Sequence, residues 1–224
     1  MFGKENNGFK LINVIPLEEY KSTGIYLIHE ETGLEVFHVY NDDDENLFSF
    51  MFKTLPNDDT GVFHILEHTV LCGSKNFPLK DPFKQLSKQS VNTFLNAMTS
   101  NDSTMYPAAS ISEEDYFNLM SVYADAVFNP ILNKNSFMQE GHHLELDNDG
   151  NPTISGVVYN EMKGAMSSVN RIKDKEITKT LFANTPYQYE SGGDPNAIPS
   201  LTYEVFCDTY KKHYNPSNCK LFLY

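Results

Sequence analysis

The stretch Gly61–Gly73 reads GVFHILEHTVLCG, and the interpretation of the whole chain begins there. The stretch is predicted to form a helix. On a helix, His64 and His68 lie four residues apart and project from one face. Two neutral imidazoles at this spacing can bind one zinc ion. Glu67 lies near the same face, where its carboxylate can accept a proton from a water that zinc activates.

The order HxxEH is the inverse of the HExxH zincin motif and defines the inverzincins. The alternative is a pair of ordinary histidines, in the core or on the surface, beside a glutamate of no special role. Asp59 or Thr60 can cap the helix, and Gly73 can end it.

Strand-like segments precede this helix, and helical segments mainly follow it. The predicted strands are Gly24–Glu30, Leu34–Tyr40, Leu47–Thr54, a hairpin of Thr93–Ser100 with Ser103–Ala109, His142–Leu146, and Lys220–Tyr224. In the hairpin, Pro107 indicates a strand end or an edge strand. The order of elements indicates an α+β fold. Because the chain stops inside an apolar strand, we expect it to be a fragment of a longer protein.

Several further helices are predicted. They are a polar segment at Asp81–Gln89, an amphipathic helix at Ser112–Phe128, a short segment around Phe137, and helices at Ile154–Ser168, Asp174–Asn184 and Tyr203–His213. The apolar face of the amphipathic helix is predicted to comprise Phe117, Met120, Tyr123, Ala124 and Val127.

Composition excludes several classes of protein. A net charge of -13 argues against nucleic-acid binding, which needs clustered Lys and Arg. Three cysteines at irregular spacing do not form a disulfide framework and fit a reducing compartment. The N-terminus has no apolar core typical of a signal peptide, and no segment is apolar enough to span a membrane. We therefore expect a soluble, cytoplasmic protein.

Longer motifs connect the chain to a known family. The sequence HILEHTVLCGS, followed by FPLKDPF, resembles the pitrilysin (insulinase) family of zinc peptidases, and most of all its presequence-protease and falcilysin branch. Further matches are FLNAMTSNDSTMYP, SVYADAVFNPIL, FMQEGHHLEL and GVVYNEMKG, in the order found in the family. Together they cover about half the chain.

The resemblance implies a set of site residues. One Zn²⁺ per chain would be held by His64, His68 and, from GVVYNEMKG, Glu161, with Glu67 as the catalytic base. It assigns no ligand to Glu140, His142 or His143, which we expect to be structural. Peptide substrate would add to a sheet edge formed by Asn96, Ala97, Met98 and Thr99. The alternative for this segment is an ordinary paired strand.

The resemblance also implies the architecture and the activity. The fold would be a pitrilysin-type peptidase domain, an antiparallel-rich sheet with helices on one face, which residues 1–224 would form incompletely as the N-terminal domain of a two-half enzyme. The activity would be zinc-dependent endopeptidase hydrolysis of unfolded oligopeptides. The partner would be the missing C-terminal half, which supplies an Arg and a Tyr. One alternative is an inactive peptide-binding or assembly subunit of the same fold. The other is a closed structural zinc site, for which no fourth ligand is evident.

Overall fold

A computed structural model describes residues 7–224, which form ten strands and seven α-helices. The strands are β1 Phe9–Leu17, β2 Ser22–His29, β3 Glu35–Tyr40, β4 Asn46–Lys53, β5 Phe94–Leu95, β6 Met98–Thr99, β7 Ser103–Ser110, β8 His143–Leu146, β9 Pro152–Ser155 and β10 Cys219–Leu223. The helices are α1 Val62–Val70, α2 Pro82–Gln89, α3 Glu113–Phe128, α4 Lys134–Glu140, α5 Val157–Ala165, α6 Val169–Leu181 and α7 Tyr203–His213. The expected absence of a signal peptide concerns a segment that includes residues 1–6, which lie outside the described residues.

Eight strands form one sheet in the order β1-β2-β3-β10-β4-β7-β5, with β6 also paired to β7. Every pairing in it is antiparallel except that of β10 with β3. Strands β8 and β9 form a separate hairpin. The predicted antiparallel-rich α+β fold is therefore confirmed.

The core lies where α3 covers the middle of the sheet. Side chains alternate across a strand, so Phe48, Phe50 and Phe52 of β4 project from one face, and all three are buried. The ring of Phe48 packs edge-on against Tyr123 of α3, with ring centroids 5.4 Å apart. Phe52 stacks on Tyr214, which follows α7, at 4.6 Å. These contacts join the helices to one face of the sheet.

The predicted cap of α1 is wrong. Gly61 is the N-terminal cap, with a left-handed φ of 67° that a glycine adopts without strain. The Thr60 N–H and hydroxyl both donate to Asp58 Oδ1 instead, at 2.9 and 2.6 Å. The helix ends at Val70, before Gly73.

The predicted Thr93–Ser100 strand is interrupted. It forms the short strands β5 and β6, which both pair with β7 and form an edge of the sheet. The prediction that Pro107 marks a strand end or an edge strand is wrong. The residue lies inside β7, opposite Ser49 of β4. Its carbonyl accepts from the Asn96 N–H at 3.2 Å, so its missing N–H faces the interruption between β5 and β6. The proline is tolerated there because the Asn96 carbonyl, which faces the missing N–H, accepts from the Tyr123 hydroxyl at 3.2 Å instead.

Other elements differ from prediction at their ends. Helix α5 begins at Val157 and not at Ile154, since Ile154 pairs with Leu144 in the β8–β9 hairpin. Helix α6 begins five residues earlier than predicted, with the Ser168 hydroxyl as its cap. Phe117, which the helical spacing places on the apolar face of α3, is 54% exposed. No helix in residues 7–224 is long and apolar enough to cross a membrane.

Candidate metal centre

Helix α1 presents the two histidines of the HxxEH motif to a cavity. The ring centroids of His64 and His68 lie 5.0 Å apart. The residues on the rest of the helix, among them Ile65, Leu66 and Val70, are fully buried. Because a buried helix has little freedom to rotate or shift, the two rings are fixed relative to the sheet.

Hydrogen bonds determine which ring nitrogen of each histidine carries the proton. His64 Nδ1 lies 2.9 Å from the Gly192 carbonyl oxygen. His68 Nδ1 lies 3.3 Å from Glu140 Oε2. A carbonyl or an ionised carboxylate only accepts, so both Nδ1 atoms carry the hydrogen. Each Nε2 atom is then left with a lone pair that can bind a metal.

Glu161 from α5 completes a three-residue group. Its Oε2 atom lies 3.7 Å from His64 Nε2 and 3.8 Å from His68 Nε2. All three potential ligand atoms lie within 4.8 Å of one another. Tetrahedral zinc with ligands at about 2.0–2.1 Å separates them by about 3.4 Å, so small side-chain movements would suffice. Within residues 7–224, this is the one cluster of His, Cys, Asp and Glu that could hold a metal ion.

The electrostatic environment of the cluster favours a cation. Burial lowers the pKa of His68, but the hydrogen bond to Glu140 and the charges of Glu67, Glu140 and Glu161 outweigh it and raise that pKa. Burial also raises the pKa of Glu140, yet hydrogen bonds from His68 and Gln139 bring it below its usual value. The Glu140 carboxyl is therefore ionised and supports His68 from outside the metal-binding group.

Glu67 lies beside the metal-binding group without belonging to it. Its residue is only 7% exposed, yet it lines the same cavity as His64, His68 and Glu161. A carboxylate in this position can exchange a proton with a molecule held in the cavity.

The cavity has a volume of about 940 Å³ and reaches the edge of the sheet. Residues 96–99, the segment predicted to bind substrate, line one side of it. The N–H groups of Asn96 and Ser100 donate to β7, so the alternation of a strand directs the N–H and C=O of Ala97 and Thr99 toward the open edge. An extended peptide could pair with those groups beside the histidines.

Sequence reasoning missed two supporting groups, Glu140 and the Gly192 carbonyl. Glu140 was considered with His142 and His143 and expected to be structural. The two neighbouring histidines bond to backbone carbonyls, His142 to Leu201 at 2.9 Å and His143 to Met138 at 2.8 Å. Nothing in the sequence around Gly192 indicates contact with His64, because the two residues are 128 positions apart.

The chain is similar in sequence to known peptidases. Residues 56–149 match the family model "Insulinase (Peptidase family M16)". Over 99% of its length the chain is 43% identical to the mitochondrial presequence protease of Mus musculus. It is 52% identical over 98% of its length to a protein of Borreliella burgdorferi.

The chain belongs to peptidase family M16. The crystal structure of pitrilysin has the same fold, with a TM-score of 0.74 over 97% of this chain at 18% identity. This M16 chain spans 22% of the length of each of these three proteins. The family model covers the HxxEH motif and Glu140 but ends before Glu161.

Proposed function

We propose that this chain is the zinc-binding catalytic domain of a metalloendopeptidase that hydrolyses unfolded oligopeptides. The observation that carries the proposal is the convergence of His64, His68 and Glu161 in an open cavity, with Glu67 beside them. One Zn²⁺ would be held by these three ligands, which leaves a fourth position for water or substrate, as in catalytic zinc sites. A closed structural site would need a fourth protein ligand.

The proposed roles follow from position. A bound zinc ion polarises a substrate carbonyl and lowers the pKa of water. Glu67 would accept the proton of the attacking water and deliver it to the leaving amine. Glu140 and the Gly192 carbonyl would hold the two imidazoles in the orientation that metal binding needs.

The proposed substrate site is the edge formed by Asn96, Ala97, Met98 and Thr99. A peptide that adds to this edge as another strand would gain backbone hydrogen bonds with little dependence on its sequence. Addition of a strand requires an extended peptide, which supports an unfolded substrate.

We propose that residues 1–224 are the N-terminal domain of a larger enzyme with a second half. The support is length, since the chain matches 22% of the mouse presequence protease. The complete enzyme would carry the peptidase activity, while this domain would carry the metal.

Zinc content tests the proposal most directly. The purified chain should contain about one zinc per molecule, and His68→Ala should lose it. His143→Ala is the matched control, because His143 bonds to a backbone carbonyl away from the cluster. A folded chain that takes up no zinc would contradict the proposal and favour a peptide-binding or assembly subunit.

We also propose a cytoplasmic location, on the support of cysteine chemistry. Cys72, Cys207 and Cys219 are all free thiols, as in a reducing compartment. Fractionation of cells that produce the protein tests this, and recovery from an organelle or the periplasm would contradict it.

A further inference from the structure

A loop between α6 and α7 packs directly on the start of α1. We name it the glycine loop and define it as Glu190–Asp194, sequence ESGGD. Asp59, two residues before the cap of α1, fastens both ends of this loop. Its Oδ1 accepts from the Glu190 N–H at 2.7 Å, and its carbonyl accepts from the Asp194 N–H at 2.8 Å. The Gly192 carbonyl between these points is the acceptor for His64.

The packing of the loop on α1 is backbone against backbone. A Cβ atom on Gly61 would lie 2.7 Å from both the Gly192 oxygen and the Gly193 Cα. Gly193 itself has a φ of 100°, in the region that favours glycine. The absence of side chains at this contact lets the Gly192 carbonyl come close to the helix that carries His64.

The other side of the loop is held by α6 through charge. Lys175 Nζ pairs with Asp194, and these side chains are only 15% and 18% exposed. Arg171 pairs with Glu190 at 3.0 Å. Burial lowers the pKa of Lys175, but the hydrogen bond to Asp194 and the charges of Asp194, Asp59 and Glu190 outweigh it and raise that pKa.

Those three carboxylates would repel one another without Lys175. They are also the residues that begin, end and fasten the glycine loop. Helix α6 has no buried residue of its own. Its ion pairs from Arg171 and Lys175 are the polar contacts that join it to the glycine loop. The position of the loop, and with it the Gly192 carbonyl, therefore depends on Lys175 and Asp59.

We propose that Lys175 and Asp59 are positioning residues of the metal centre, which act on His64 through the glycine loop. They hold the Gly192 carbonyl where it keeps the hydrogen of His64 on Nδ1 and leaves Nε2 directed at Glu161. The proposal rests on the proposed zinc-binding function. It extends the metal centre to a helix that contributes no ligand.

The test compares Lys175→Met and Asp59→Ala with a rescue variant, Asp59→Asn, and a matched control, Lys179→Met. Asp59→Asn keeps an Oδ1 acceptor for the Glu190 N–H and should rescue the loss seen with alanine. Lys179→Met removes the same charge from an exposed position in the last turn of α6. Far-UV circular dichroism and the unfolding temperature show whether each variant is folded.

Two measurements are made on the folded variants. Chelator competition gives the zinc affinity, which should fall about 10- to 100-fold in Lys175→Met and Asp59→Ala, fall less in Asp59→Asn than in Asp59→Ala, and stay within about twofold in Lys179→Met. Long-range ¹H–¹⁵N NMR of the metal-free chain reports the His64 tautomer. It should show the Nδ1–H form in wild type and a mixture of tautomers in the two test variants.

The outcomes separate this proposal from the zinc function itself. Wild-type zinc affinity and an unchanged tautomer in both folded test variants would overturn the positioning role alone. A wild-type chain that binds no zinc would overturn the proposed function, and the tautomer measurement would still decide whether the loop orients His64. Asp59 contacts the glycine loop from the α1 side and Lys175 from the α6 side. If one of the two variants does not fold, the other is enough to test the proposal.

Discussion

Glu140 is the residue on which the orientation of His68 depends. Its buried carboxylate accepts from His68 Nδ1, and it lies outside the group of three potential ligands. We predict that Glu140→Ala lowers zinc affinity about 10- to 100-fold. Glu140→Gln, which keeps an oxygen acceptor but loses the charge, should have a smaller effect. Chelator competition measures both.

Glu145→Gln is the control for this prediction, since Glu145 is exposed on β8. It should bind zinc like wild type. Equal affinities in Glu140→Ala and Glu145→Gln would show that His68 needs no carboxylate support.

Glu67 and Glu161 should be separable by what each variant loses. In an enzyme that contains this chain, we predict that Glu67→Gln keeps zinc but lowers kcat at least about 100-fold, because an amide cannot accept the proton. Glu161→Gln should lose zinc affinity together with turnover. Zinc analysis and peptide hydrolysis measure the two effects, and near wild-type turnover in Glu67→Gln would rule out its role as the base.

Among the residues of the candidate site, those that lie close together in the chain could be predicted from the sequence. His64, Glu67 and His68 lie within one helical turn, so helix geometry alone brings them together. Glu161 was assigned through family resemblance and not through spacing. The two supporting groups come from positions 72 and 128 residues away, and their contacts depend on tertiary packing that no local pattern encodes.

Residues 96–99, which lead into and include β6, form the segment on which peptide binding is predicted to depend. We predict that Ala97→Pro weakens binding of an extended peptide about 2- to 10-fold, because it removes an N–H that faces the open edge. Binding is best measured in a Glu67→Gln background, where the peptide is not hydrolysed, and zinc content should not change.

Met98→Pro provides the contrast, since the Met98 N–H faces β7. It should lower the free energy of unfolding through loss of strand pairing. Unaltered peptide affinity in a folded Ala97→Pro variant would argue that substrate does not add to this edge.

Elements with strong local signals were predicted well. Helix α7 has the predicted bounds, and α3 ends at the predicted Phe128 and begins one residue after the predicted start, with Ser112 as its cap. Errors arose where a distant segment competes with the local pattern. Ile154 suits a helix but pairs with Leu144, and the glycine loop selects Gly61 over Thr60 as the cap of α1.

The whole molecule should lose stability in acid partly through Asp125. This carboxylate of α3 accepts from the Asn76 N–H at 2.7 Å and from Asn129 at 3.1 Å, and so joins α3 to the segment after α1. Burial raises the pKa of Asp125, but these hydrogen bonds outweigh it and lower the pKa below its usual value. Stability from this group is therefore present above its unfolded-state pKa of about 3.9 and is lost as the pH falls through the folded-state value.

We predict that Asp125→Asn is less stable than wild type by about 1 kcal/mol at pH 7. The difference should shrink toward pH 2, because wild-type Asp125 is then protonated as well. Urea unfolding across this pH range measures it, with Asp44→Asn at an exposed turn position as the control. A difference that stays constant with pH would mean that the charge of Asp125 is not involved.

Strand β10 has a consequence for how the molecule is made. It lies between β3 and β4, and Lys220 bonds to Glu35, 185 residues earlier in the chain. During synthesis, β1–β3 and β4–β7 emerge from the ribosome long before the strand that joins them. Closing so long a loop is slow, and until it closes each group of strands has an unpaired edge open to other chains. A ribosome that stalls before Cys219 would thus expose a nascent chain with two unpaired strand edges. Chaperones bind exposed surfaces of this kind.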